Sequence, residues 1–342
     1  MRPVRFAVVG SGWRAEFFFR IAAARPDRFV IPAVLVRRDA EADRVVSEHG
    51  LAAVTNPERI DELEPDFVVV STSAASNADV CEQLTRQGHA VLLETPAGVD
   101  DAQFDRLGAL AATGARVQVA EQYQFQPLLA ARLAIIRSGR LGPITSARIS
   151  VAHEYHGVAL LRAALGVAVG PFSVKGHVHH SSIRRGPDRA GPPDVDELVP
   201  STEVVATIDF DGRLGVYDWT GDQYFSWIRT LRFVVRGEDG EIDGDTVRYL
   251  DDSGEPVEQS LHRWDTGLVG NLEPPGHRGY LLGDEWVYRN PFPTMRWSDD
   301  EIAMATVLDE MAAYVAHGTE FYPLAEGVHD ARVAAAIRAA IS

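Results

Sequence analysis

The stretch Val4-Arg-Phe-Ala-Val-Val9, then Gly10-Ser-Gly12-Trp-Arg-Ala15, then Glu16–Ala24 at helical spacing narrows the fold more than any other feature of the chain. The apolar run suits a strand buried on both faces. Gly10 permits a tight turn, Gly12 lets a ligand approach the backbone, and Ala15 lets the helix pack close to the strand. The helix N-terminus then offers free N–H groups and a positive dipole end to an anion. Strand, glycine turn and helix in this order form a dinucleotide fingerprint. Gly10, Ser11, Gly12, Trp13 and Arg14 are its expected contacts with the diphosphate.

The pattern repeats. Val30–Val36, Phe67–Ser71, Ala90–Leu93 and Val117–Ala120 read as strands, and Ala40–His49, Asn77–Arg86 and Asp101–Thr113 as helices. Such alternation predicts a doubly wound parallel sheet, a Rossmann domain over residues 1–125. Beyond it the texture changes. Ile144–Tyr155, Val204–Phe210, Leu214–Trp219, Leu231–Arg236 and Thr246–Leu250 are strand-like and separated by turns such as Asp211-Gly212. They predict a second α/β domain over 126–342 with a large, mostly antiparallel open sheet. Gly186–Pro200 and Gly267–Pro293 read as long loops. Ser298-Asp-Asp-Glu301 is a capping box opening a helix that ends at Gly318, and the C-terminal helices are available to pack back on the first domain.

Composition removes several function classes. The net charge of −16 argues against a nucleic-acid face and against docking on anionic lipid. A single cysteine excludes an internal disulfide framework and any multi-cysteine metal site. No apolar stretch approaches a membrane span, and the N-terminus lacks the apolar core of a signal peptide, so a cytoplasmic location is expected. Lys175 is the only lysine in the sequence, so any step needing a side-chain amine must use it. At the end of the second strand, where an acidic residue would take the ribose 2′-hydroxyl of NAD, the chain carries Arg37 and Arg38. Guanidinium groups suit a 2′-phosphate, so the cofactor is expected to be NADP or NAD, with NADP favoured.

The chain resembles the Gfo/Idh/MocA family of dehydrogenases. The likeness rests on the glycine loop, Val68–Ser73, Gly88-His-Ala-Val-Leu-Leu-Glu94-Thr-Pro96, Tyr123-Gln-Phe-Gln-Pro127, Ser138-Gly-Arg-Leu-Gly-Pro143 and His156 ahead of Leu165-Gly166. The resemblance implies a nicotinamide held over the second domain's sheet and substrates among sugars, cyclitols and their derivatives. It also implies cofactor contacts from Ser71, Thr72, Ser73, Asn77, Glu94, Thr95, Pro96 and Gln122. Tyr123, Gln124, His177 and His179 would face substrate. The departures concern proton handling: the family's Glu-Lys-Pro is Glu94-Thr95-Pro96 here, and threonine is a poor acid or base near neutral pH. Gln124 stands where arginine is common, and Asn77 where the family usually has histidine.

His156 is the proton-handling residue that survives, and imidazole titrates near neutrality. It is expected where a strand ending at Tyr155 meets a helix, as a catalytic group with Thr95 and Tyr155 assisting. On a strand, His153 and His156 would point to opposite faces, and no metal site is expected. Trp219, Tyr224, Trp227 and Trp264 are expected in the core or an interface, and Arg184, Arg185 and Arg189 as solvated charges. The expected activity is hydride transfer between nicotinamide and a sugar-like or other hydroxy or keto small molecule. Alternatives are a non-redox lyase or glycosidase that uses tightly bound NAD transiently, and a catalytically inactive ligand-binding protein of the same fold. The resemblance also implies a homo-oligomer, dimer or tetramer.

Overall fold

The structure, a computed structural model, describes residues 2–341. In chain order, β1 (Val4–Val9) leads into α1 (Ala15–Ala24), β2 (Phe29–Val30), β3 (Val34–Leu35), α2 (Asp39–His49), β4 (Ala53–Val54) and α3 (Arg59–Glu62). Then come β5 (Phe67–Val70), α4 (Ala74–Arg86), β6 (Val91–Leu93), α5 (Asp101–Ala112) and β7 (Val117–Val119). Next are α6 (Pro127–Arg137), β8 (Ile144–Ser150), α7 (Glu154–Leu165), β9 (Ser173–Arg184), β10 (Leu198–Phe210), β11 (Arg213–Thr220) and β12 (Arg232–Gly237). The chain closes with β13 (Gly240–Asp243), β14 (Thr246–Leu250), β15 (Pro256–Thr266), β16 (Gly276–Leu282), β17 (Glu285–Arg289), α8 (Asp299–His317) and α9 (Leu324–Ala340). No described helix is long and apolar enough to cross a membrane.

Two compact units result, one of residues 2–126 with 297–331, the other of 127–296 with 332–341. The first holds a parallel sheet in the order β4-β3-β1-β5-β6-β7, with β2 paired to the start of β1. Apart from Arg5 and Gln118 its strand residues are apolar, as suits a sheet covered on both faces: Phe6, Val8, Phe67, Val68, Val69, Leu92 and Leu93 are fully buried. The strand expected over 30–36 is two short ones. Pro32 has no N–H to give a sheet, and the chain steps from the beginning of β1 to its end across Ile31–Ala33. The far end of the chain completes this unit. α8 packs on α1 and buries Ile302, Met304, Val307, Leu308 and Met311. Arg20 pairs with Glu301 at 2.7 Å and Arg28 with Asp309 at 2.5 Å. Gln118 on β7 is wholly buried, and its side-chain oxygen accepts the backbone N–H groups of Phe321 (3.0 Å) and Tyr322 (2.8 Å).

The second unit is a ten-stranded sheet in the order β17-β16-β15-β14-β13-β12-β8-β11-β10-β9, antiparallel except where β11 runs parallel to β8. One face carries Ala147, Ile149, Ala206, Tyr217 and Phe233 and is covered in part by α7. Three expectations need correction. The strand expected over 144–155 stops at Ser150, and a helix begins at Glu154. The chain leaves the sheet there because the N–H groups of His153 and Glu154 are taken by the phenol oxygens of Tyr224 (3.2 Å) and Tyr217 (2.7 Å). The region 267–293, expected to be irregular, contains the hairpin β16–β17, and the loop expected over 186–200 gives way to β10 at Leu198.

Candidate functional site

In the first unit the site is built on the turn between β1 and α1. Gly10 has φ +108°, and a Cβ there would lie 2.2 Å from the Ser71 carbonyl oxygen. Only glycine lets the turn sit this close to the end of β5. Gly12 differs: a Cβ there would meet nothing within 4 Å. Its outward side therefore opens on free space while its carbonyl accepts the Ala15 N–H at 2.9 Å, starting α1. No side chain caps α1; its Ala15 and Phe17 N–H groups are taken by the Gly12 and Arg14 carbonyls, and what the helix offers an anion at this turn is the positive end of its dipole.

This turn forms one wall of a cavity of about 830 Å³, within the roughly 300–1,000 Å³ range of small-molecule sites. Gly10, Ser11, Gly12, Arg37, Arg38, Ser71, Thr72 and Ser73 all line it, with Leu35, Ile60, Val80 and Leu84 as apolar walls. The structure thus brings together eight of the cofactor contacts expected from sequence. Arg38 is ion-paired with Glu41, and Arg44 donates to the Ser11 carbonyl at 2.7 Å and pairs with Glu48 at 2.9 Å. Both Glu41 and Arg44 line the cavity and went unrecognised in sequence. Arg44 looks there like half of an ordinary i,i+4 helix pair, and nothing local reveals its reach back to the glycine turn.

The other expected contacts lie outside this lining. Arg14 donates to Glu94 at 2.9 Å, and the second Glu94 oxygen accepts the Thr95 N–H at 3.2 Å. Burial opposes the charge on Arg14, but the Glu94 carboxylate, with Asp300 and Glu121 behind it, more than offsets that and raises its pKa. The pair ties the start of α1 to the end of β6. Asn77 is fully buried; it accepts from the Thr72 hydroxyl at 2.8 Å and donates to the Glu94 carbonyl at 3.2 Å. Trp13 is exposed, edge-on to Phe17 at 5.4 Å. Thr95 precedes a cis peptide bond to Pro96. After β7, the buried side-chain oxygen of Gln122 and side-chain nitrogen of Gln124 have no hydrogen-bond partner. Buried polar atoms are normally satisfied, so each stands ready for a bound group.

In the second unit, His156 is buried in the first turn of α7. His153, expected on the opposite face of a strand, is the N-cap residue of the same helix, and its ring lies 5.2 Å from that of His156 at an interplanar angle of 89°. Tyr155 is 4.5 Å from His156, ring to ring. His153 Nδ1 is 2.6 Å from the Tyr224 phenol oxygen, and Tyr224 stands edge-on to Trp219 at 4.7 Å. Glu154 has φ +42° and pairs with Arg338 at 2.6 Å. Gly157 seats the helix on the sheet: a Cβ there would overlap the Tyr217 ring at 2.6 Å. His177 and His179 are not brought to His156. Both pair in register with residues aligned with Asp218 and Thr220, on the sheet face away from the one that carries Tyr217 and α7. Lys175 shares their exposed edge strand, β9. Among the described residues, no three His, Cys, Asp or Glu side chains come together as a metal site.

Residues 4–121 match the sequence profile of Gfo/Idh/MocA, described as an oxidoreductase family with an NAD-binding Rossmann fold. No curated protein matches the chain. Among solved structures, a levoglucosan dehydrogenase in complex with NADH and levoglucosan aligns with a TM-score of 0.68 at 18% identity, covering 99% of this chain and 97% of that one. An oxidoreductase domain protein from Kribbella flavida gives 0.67 at 19% identity, with 99% and 97% covered. GenD2 from gentamicin A biosynthesis, in complex with NAD, gives 0.61 at 20% identity, with 99% and 94% covered. At these identities the likeness shows the fold.

Proposed function

We propose that this chain is an NAD(P)-dependent oxidoreductase of the Gfo/Idh/MocA type, acting on a sugar-like or other hydroxy or keto small molecule. The observation that carries this reading is the glycine turn: Gly10 is pressed against Ser71 while Gly12 faces open space at the wall of an 830 Å³ cavity. The unpartnered polar atoms of Gln122 and Gln124 fit the same reading. The substrate class follows the levoglucosan-bound neighbour and the resemblance in sequence.

When bound, the nicotinamide supplies the hydride acceptor or donor. The backbone at Gly10–Gly12 and the positive dipole end of α1 hold the diphosphate. Ser71, Thr72 and Ser73 meet the adjoining ribose. Arg37 and Arg38 meet the 2′-position of the adenosine, which favours NADP. Tyr123 and Gln124 orient the substrate. His156 accepts the hydroxyl proton as the carbinol C–H leaves with its electron pair, and returns a proton to the carbonyl oxygen in the reverse direction. The Thr95 hydroxyl donates a hydrogen bond, and Tyr155 packs beside the imidazole.

Fluorescence titration with NADPH and NADH tests cofactor binding, and absorbance at 340 nm over a panel of polyols and ketones tests turnover. Saturable binding with turnover lost on His156→Asn is the expected result. Failure of both dinucleotides to bind would sink the reading. Thr95 in place of the family lysine favours a second reading, a ligand-binding protein that does not turn over. That protein would be stabilised by a polyol yet leave NAD(P)H unchanged.

A further inference from the structure

We propose that Arg44 is a positioning residue for the diphosphate: from α2 it fixes which way the peptide between Ser11 and Gly12 faces. The proposal rests on the dinucleotide reading given above and concerns the part of the cofactor that NADH and NADPH share.

That peptide is the loosest joint of the glycine turn. The Gly10 N–H is given to the Leu35 carbonyl at 2.9 Å, and the Ala15 N–H to the Gly12 carbonyl at 2.9 Å. The Gly12 N–H meets no acceptor among the described residues. A Cβ at Gly12 would have nothing within 4 Å, and glycine adopts φ of either sign at little steric cost. A half-turn of the Ser11–Gly12 peptide is therefore open to this segment on its own. The two orientations differ in what they show a ligand. In a trans peptide the carbonyl and the N–H point in opposite directions, so one orientation offers a phosphate oxygen a donor and the other a repelling carbonyl.

Arg44 selects between them. One of its terminal nitrogens donates to the Ser11 carbonyl at 2.7 Å and to the Ser11 hydroxyl oxygen at 3.2 Å. The other donates to Glu48 at 2.9 Å, which steadies the guanidinium on α2. A guanidinium only donates, so the sense of each bond is fixed. The Ser11 carbonyl is held on Arg44, and the Gly12 N–H points away from it. The Ser11 hydroxyl, accepting from Arg44, keeps its own hydrogen for another acceptor. Ser11, Gly12 and Arg44 line the same cavity, so the cation also stands beside the anion that the turn receives, in a chain of net charge −16. Without the tie, the population of turned peptides would weaken apparent affinity in proportion.

The test is Arg44→Met, which keeps an unbranched side chain and removes every donor. In the chain without dinucleotide, the Ser11 and Gly12 amide NMR signals should broaden or double. In fluorescence titration, NADH and NADPH should each bind at least about tenfold more weakly, as loss of a charge-assisted hydrogen bond implies. The ratio of the two affinities should stay within about twofold of the parent, because the diphosphate is common to both. Parental affinity for both dinucleotides, or a shifted ratio, would overturn the proposal. If Arg44→Met does not fold, Arg44→Lys decides. It keeps the charge but replaces the fork by a single amine, and should weaken both dinucleotides at least about threefold; parental affinity would overturn the proposal equally. A parent chain that binds neither dinucleotide loses the oxidoreductase reading, and the amide signals then judge the clamp: unchanged in Arg44→Met they refute it, broadened they keep it. A parent that binds while Arg44→Met binds as tightly loses only the clamp.

Discussion

Alanine at Gly10 and alanine at Gly12 should have opposite effects. At Gly10 the new methyl would sit 2.2 Å from the Ser71 oxygen and 2.8 Å from its carbon, on a backbone with φ +108°. The conformation alone costs a non-glycine residue ~1–2 kcal/mol. Forcing the turn away from β5 adds about 1–3 kcal/mol, typical of overpacking. Gly10→Ala should therefore lose ~2–5 kcal/mol of stability. At Gly12 the methyl meets nothing within 4 Å. Stability should hold or rise by about 0.4–1 kcal/mol, because alanine restricts the unfolded chain. The same methyl would stand where a diphosphate must approach, so dinucleotide affinity should fall at least about tenfold, roughly 1.4 kcal/mol. Urea unfolding gives the first quantity and NADPH or NADH fluorescence titration the second. A Gly12→Ala protein that binds either dinucleotide like the parent would refute the assignment of the cavity. A Gly10→Ala protein of parental stability would refute the close approach to Ser71.

Three further outcomes are expected. Glu41→Gln should release Arg38 from its ion pair and raise the preference for NADPH over NADH, whereas Arg38→Gln should lower it by about tenfold, as loss of a charge-assisted bond to phosphate implies; paired affinity measurements read both. Burial pushes the Asp309 carboxyl up to about 6, against the opposing pull of Arg28. The fold therefore favours the protonated form, and this contribution is full below about 3.8 and lost as pH rises through about 6. Asp309→Asn should accordingly gain up to ~3 kcal/mol relative to the parent between pH 4 and pH 8, measured by unfolding at each pH. Gln118→Leu keeps the volume but strands the Phe321 and Tyr322 N–H groups, and should lower stability by about 1–3 kcal/mol in chemical unfolding.

The parallel sheet was legible because its strands are local, mostly apolar runs set between turns and helices, so that β1, β5, β6 and β7 announce themselves. The break at Pro32 was equally local and could have been read from its missing N–H. The start of α7 could not. Residues 144–155 carry strand-like spacing, and the phenols that turn the chain at His153 and Glu154 come from Tyr224 and Tyr217, far along the sequence. That same non-local event brings His153 beside His156. The glycine turn and the arginines after β3 identified much of the cavity lining. Arg44 escaped because its partner is the carbonyl of Ser11, which no side-chain pattern records.

The strap that closes on Gln118 bears on the order of events during synthesis. β7 gains its partners at Phe321 and Tyr322, and α1 gains α8, from residues translated after almost the entire second unit. The nascent glycine turn must wait, with α1 still uncovered, until Asp299–Tyr322 have been made. A fragment halted at residue 126 should consequently emerge from the ribosome sticky and prone to proteolysis, rather than as a free-standing nucleotide-binding module.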